Sequence, residues 1–319
     1  MLSDSGVVAQ TGLFEKIASY FNSFNFLITL AILAFFVFLI IASRKYKWDV
    51  YIIATIGICL ILLLLFIYFK SFHILVTLVT LVFLAFLIIV SRLYKWDVRT
   101  IAIVGICSGL SVALGYFPFF RMPEGGTISL AMVPVVVVAL TKGVVPGVIA
   151  GVIAGCLQYF PDPFFYNLPQ FLLDYPIAWG LVGLAGLWKI DNGKKTLLWV
   201  IGGLGLLVCG GFILDMVLEG GYSWDKFVAL AIMLGLLVPG FLTAKRGGAW
   251  SPAGGVAIGA FARFLAHLLS GMLFFYTFAW PGYSILGYTS IYIAIHLVPE
   301  TILCMVAAVP INKYVIERS

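Results

Sequence analysis

Six ionisable side chains interrupt the apolar stretches of this 319-residue chain: Asp174, Asp215, Arg263, His267, His296 and Glu300. Such groups are costly at membrane depth, so each marks either a functional site or a fixed ion pair. Asp174 falls about six residues inside the apolar run 168–188, and His267 about eight residues inside the run 252–276. At ~1.5 Å per residue both are placed ~10 Å below the same surface. Arg263 and Glu300 fall nearer the mid-bilayer, and their spacing is read as a buried pair that fixes helix register. Asp215 stands near a helix end.

The segment FFYTFAWPGYSILGYTSIY adds Phe274, Phe275, Tyr276, Phe278, Trp280, Tyr283, Tyr288 and Tyr292. For most of these rings the plain reading is an interfacial aromatic belt. An aromatic wall facing a carboxylate is also how a site holds a flat organic cation, by charge pairing together with cation–π contact. The glycine- and proline-rich segments RMPEGGTI and PDPFFYN are read as lids over such a site. Other chemistry is not signalled. No G-x-x-x-x-G-K-[ST] loop is available to bind ATP, and no H-E-x-x-H, G-x-S-x-G or Cys/His cluster suggests hydrolysis or zinc, so no cofactor or metal is expected. The five cysteines, Cys59, Cys107, Cys156, Cys209 and Cys304, stand singly in apolar runs and are read as packing residues.

The elements that must carry these residues are membrane helices. Hydrophobic residues make up 63% of the chain and charged residues 10%, which excludes an ordinary soluble domain. Apolar runs separated by charged hinges predict an all-α polytopic membrane protein with about eleven transmembrane helices. They fall at about 25–42, 50–69, 74–90, 98–117, 127–141, 144–160, 168–188, 196–218, 226–244, 252–276 and 286–311, the fifth and sixth being short. No cleavable signal peptide is expected. Leu13, Phe14, Ile17 and Phe21 instead suggest an interfacial amphipathic helix.

Placing the 43–49 hinge in the cytoplasm and alternating puts fourteen Lys and Arg in inside loops against four outside (Lys16, Lys70, Arg121, Lys226). By the positive-inside rule the amino terminus is then outside and the carboxyl terminus cytoplasmic. The net charge of +6 thus sets topology, and no nucleic-acid partner is expected. A duplication underlies part of this pattern. SRKYKWDVYIIATIGICLIL at 43–62 recurs as SRLYKWDVRTIAIVGICSGL at 91–110. Only the second copy carries two glycines four apart, Gly105 and Gly109, a face that lets another helix approach closely in lipid. Gly147, Gly151 and Gly155 form a further ladder, assigned to internal packing.

At MPEGGTISLAMVPVVVVALTKG, LPQFLLDYPIAWGLVGLAGLW and RFLAHLLSGMLFFYTFAWPGY, in that order, the sequence resembles the thiamine-specific S component of energy-coupling factor transporters. The match covers about 98–188 and 246–312. The resemblance implies a six-helix core at 98–319 with a two-helix insertion at about 190–245, preceded by three additional helices in 1–97. It implies a substrate-binding subunit of a vitamin uptake transporter in the bacterial plasma membrane, not an enzyme. Such a subunit captures thiamine outside the cell and works with a transmembrane coupling subunit and two ATPase subunits supplied in trans.

The resemblance places the family's acidic residue on Asp174, facing the thiazolium, with Tyr175 beside it. The histidine falls on His267 and the glycine one turn later on Gly271. Aromatic contacts fall on Phe164, Phe275, Trp280 and Tyr288, and the coupling-subunit face on Gly105 and Gly109. Two positions depart from the pattern. Ile293 stands where an asparagine contacting the pyrimidine is expected, and Gly125 where some members have tryptophan, which leaves a thiamine precursor or related heterocycle open as ligand. Two further readings remain: a membrane sensor or scaffold without transport role, and an intramembrane enzyme using Asp174 and His267.

Overall fold

The computed structural model describes residues 91–92, 94–189, 203, 224–246 and 251–311. The chain divides into two units, Met1–Val79 and Thr80–Ser319, and all of these residues belong to the second. The expected spans 25–42, 50–69, 74–90 and 196–218, the first copy of the repeat, the amino-terminal amphipathic stripe and Asp215 lie outside the described residues.

The other seven expected spans are helical. Asp97 starts helix α1 (Val98–Gly115) by accepting a hydrogen bond from the Thr100 N–H at 3.2 Å. Strands β1 (Phe120–Arg121) and β2 (Thr127–Ile128) follow, then α2 (Met132–Lys142) and α3 (Val144–Gln158). Helix α4 (Leu168–Leu172) runs through a π turn (Leu173–Ile177) into α5 (Ala178–Val182) and a 3₁₀ segment (Gly183–Lys189). Helices α6 (Trp224–Arg246), α7 (Ser251–Phe274) and α8 (Ile285–Ile311) complete the described chain. Among the described residues five helical segments are long and apolar enough to cross a membrane: Val98–Gly115, Leu168–Trp188, Trp224–Thr243, Pro252–Phe274 and Ile285–Pro310.

Three expectations need correction. The architecture is not wholly helical, because RMPEGGTI folds as an antiparallel hairpin with Phe120 opposite Ile128 and Arg121 opposite Thr127. Gly125 and Gly126 make its turn possible, at φ of 89° and 95°, where a side chain would be strained. The run 127–141 consequently gives a helix of only 11 residues, since its first residues are spent on strand pairing. The run 168–188 is not one regular helix. Pro176 cannot donate the backbone hydrogen bond of a regular turn, and the chain widens into the π turn there.

Close backbone approach holds the bundle together. Gly147 packs on Ala139, Gly151 on the carbonyl of Trp179, and Gly155 on the carbonyl of Tyr175, so the α3 ladder is internal packing as its sequence suggests. Gly255 and Gly259 bring α7 equally close to Ala185 and Val182. Buried polar pins add register: Ser111 Oγ donates to the Ala131 carbonyl at 2.6 Å, and Gln158 Nε2 to the Ser111 carbonyl at 2.9 Å. The buried stripe of α1 is Thr100, Val104, Ser108, Ser111 and Gly115. Gly105 and Gly109 lie on the opposite, exposed side, with no atom of the described residues within 4 Å of where a Cβ would stand.

These environments separate glycines of similar sequence context. Gly151→Ala drives a methyl into the Trp179 carbonyl and is expected to cost about 1–3 kcal/mol, whereas Gly105→Ala is neutral. Thermal unfolding of the two detergent-solubilised variants measures the difference.

Candidate functional site

A partly open cavity lies between the hairpin, the 158–179 region, α7 and α8. One face of α7 supplies Arg263, His267 and Gly271 at helical spacing. Helix α8 supplies Tyr288, Thr289, Tyr292, Ile293 and His296, again a single stripe. The π turn carries Asp174, which meets His267 and Ser270 of α7, and Tyr175, which meets Asp162 and Phe164 in the loop between α3 and α4.

Asp174 is the electrostatic centre. Its Oδ1 lies 2.9 Å from His267 Nδ1, and its Oδ2 accepts from Gln170 Nε2 at 2.7 Å and Ser270 Oγ at 2.8 Å. Arg263 Nε donates to His267 Nε2 at 3.3 Å. The imidazole hydrogen therefore sits on Nδ1, pointed at Asp174. All three partners of the carboxylate are uncharged donors, so its negative charge is solvated but not neutralised.

Arg263 is close by yet committed elsewhere. Its Nη1 pairs with Glu300 Oε2 at 3.1 Å, both side chains being buried, and its guanidinium stacks 4.3 Å from the centre of the Trp179 ring. Glu300 Oε1 accepts in turn from the N–H and Oγ of Ser129, at the foot of the hairpin, at 3.1 and 2.9 Å. The buried pair expected from sequence is thus formed, and it also anchors the cavity wall.

Rings close the remaining sides. Phe164 and Phe275 pack with centroids 5.3 Å apart, and Tyr288 and Tyr292 at 5.8 Å. Tyr175 Oη donates to the Asp162 carbonyl at 2.6 Å and accepts from the Phe164 N–H at 3.0 Å, fixing the PDPFFYN loop. Tyr292 Oη accepts from the Glu124 N–H at 2.9 Å and donates to the Gly125 carbonyl at 3.1 Å, fixing the hairpin tip.

Of the residues expected to contact a ligand, Asp174, Tyr175, His267, Gly271, Phe275, Tyr288 and Phe164 all line this cavity. Trp280 is not among the lining residues; it sits behind Tyr288, edge-on at 5.1 Å, and is partly exposed. Ile293 and Gly125, the two departures from the pattern, both face the cavity.

The family model described as "Thiamine transporter protein (Thia_YuaJ)" matches residues 101–317. The chain belongs to this family. Among Thia_YuaJ relatives it is similar to "Thiamine transporter ThiT" of Bacillus subtilis (strain 168), 26% identical over 189 residues covering 59% of this chain and 76% of the relative. A solved structure of ThiT from Listeria monocytogenes aligns over 69% of this chain and 96% of that one, at 17% identity and a TM-score of 0.45.

Sequence reasoning assigned no part to Gln170, Trp179 or Thr289, which line the cavity, or to Ser270, which bonds Asp174. The signal for two of them was present as helical spacing: Gln170 is four before Asp174, and Ser270 three after His267. The Arg263–Glu300 pair is open to direct test. Arg263→Met strands a buried carboxylate and should cost about 3–5 kcal/mol of stability. The double variant Arg263→Met/Glu300→Met should recover most of that loss, as read by denaturant unfolding in detergent.

Proposed function

We propose that this chain is the substrate-capturing membrane subunit of a vitamin transporter and takes thiamine, or a close relative, from the cell exterior. The observation that carries this reading is the Asp174 carboxylate, held only by neutral donors inside an aromatic cavity. A flat cation completes its charge balance, since Arg263 and Glu300 already cancel. Asp174 faces the thiazolium, His267 orients the carboxylate, and Phe164, Tyr175, Phe275 and Tyr288 surround the rings, while Gly271 lets Thr289 of α8 pack against α7 at the cavity edge. Trp280 contacts the ligand only through closure of the segment that bears it.

The same reading extends to the assembly. The Gly105 and Gly109 face on α1, which no described residue covers, would receive a transmembrane coupling subunit, which with two ATPases supplied in trans drives uptake in the bacterial plasma membrane. The charge asymmetry of the loops supports an outside amino terminus and a cytoplasmic carboxyl terminus. Residues 98–319 form the S-component-like core, with an insertion at about 190–245 and additional helices in 1–97.

Tryptophan quenching of the purified protein by thiamine tests the site. Asp174→Asn keeps the size of the side chain and removes the charge, and is expected to weaken binding roughly 10- to 150-fold. An unchanged affinity removes Asp174 from the site. Gly105→Leu addresses the assembly separately: thiamine binding should stay at the wild-type level while co-purification with the coupling subunit is lost.

A further inference from the structure

Helix α6, in the stretch read as an insertion, lines no part of the cavity and packs against α7 and α8 instead. Its second residue, Asp225, is fully buried and meets the start of α8. There its Oδ2 accepts from the Ser284 N–H at 2.8 Å and from Ser284 Oγ. Ser284 in turn caps α8. Its Oγ accepts from the Gly287 N–H at 3.0 Å, and its carbonyl from the Tyr288 N–H at 2.9 Å. Gly287 makes room for this arrangement, since a Cβ there would meet the Asp225 carboxylate. A buried carboxylate is costly unless hydrogen-bonded, and one set at the first turn of a helix is further favoured by the helix dipole. Asp225 thus fixes where α8 begins.

Where α8 begins decides where the cavity wall stands. Tyr288, one turn in, is 3% exposed and lines the cavity, and Tyr292, a turn further, holds the hairpin tip. Rings continue the same connection outside the helix. Trp224, beside Asp225, meets Tyr283 edge-on at 4.9 Å, Tyr283 meets Trp280 at 5.4 Å, and Trp280 meets Tyr288 at 5.1 Å. The segment 275–284, which bears Trp280, joins the end of α7 to the start of α8. Its α8 end is tied to α6 through Asp225, so closure of that segment over a ligand turns about a fixed point at Ser284.

We propose that Asp225 is a positioning residue for the ligand site, holding Ser284 so that Tyr288 and the Trp280 segment stand ready for the ligand. The proposal rests on the thiamine reading above, and Asp225 itself touches no ligand. With the tie cut, the first turn of α8 frays and the ligand must order it on binding. Apparent affinity then falls with the fraction of the protein that is already ordered.

Hydrogen exchange read by mass spectrometry, together with thiamine titration, tests this on the full-length protein in detergent. Asp225→Ala should speed exchange over 275–290, leave α3 at the wild-type rate, and weaken thiamine binding roughly 3- to 30-fold. Asp225→Asn, whose amide oxygen still accepts from Ser284, should recover part of both effects. Should Asp225→Ala fail to fold, Ser284→Ala keeps the backbone contact, loses the hydroxyl, and should show the same pattern at smaller size. Wild-type affinity in the folded variants overturns the proposal, and so does unchanged exchange over 275–290. Exchange that rises throughout the protein overturns it as well, since that is the mark of a general loss of packing. Wild type that binds thiamine no better than its variants do sinks this inference alone, whereas wild type that does not bind thiamine sinks the thiamine reading with it.

Discussion

Asp174 carries a negative charge that the protein solvates without cancelling, and the surrounding arrangement keeps it so. Its three donors are an amide, a hydroxyl and an imidazole. The nearby cation, Arg263, is drawn off by Glu300, whose other oxygen is held by Ser129. Without Glu300, Arg263 would be left as a buried cation with no carboxylate of its own, one imidazole away from Asp174. The buried pair therefore does more than set helix register. On the proposed reading, it leaves the carboxylate to the ligand.

Glycine positions the frame around that charge. On α3 and α7 the absence of a Cβ lets backbones meet, which brings the π turn with Asp174 against the face of α7 that bears His267 and Ser270. On α1 the same kind of spacing meets nothing within the described residues. One sequence pattern thus serves two ends, and burial tells them apart. Where the glycines are themselves buried the pattern closes the bundle, and where they are exposed it leaves a face that no described residue covers.

Much of this was legible in the sequence because charge in apolar surroundings is conspicuous. Asp174, His267, Arg263 and Glu300 announced themselves by cost alone, and the last two paired as their depth suggested. What stayed hidden depended on local backbone. Thr127 and Ile128 read as the start of an apolar helix, yet two glycines at positive φ turn them into a strand. Pro176 is compatible with a kink, a break or a π turn, and only packing chooses among these. Spacing arguments also fail where a helix stops: α7 ends at Phe274, so the position of Trp280 is set by the following loop and not by helical periodicity.

The wall of the cavity and its charge belong to one network. Ser129 at the hairpin's foot bonds Glu300, Glu300 bonds Arg263, Arg263 bonds His267, and His267 bonds Asp174. At the hairpin's other end Tyr292 holds Glu124 and Gly125, and Asp162 holds the Gly126 N–H at 3.1 Å. Groups connected in this way do not contribute independently, because removing one changes the protonation or orientation available to the next. The hairpin is fixed to the far end of that sequence of bonds, so the Asp174 carboxylate and the wall of the cavity are linked through five side chains.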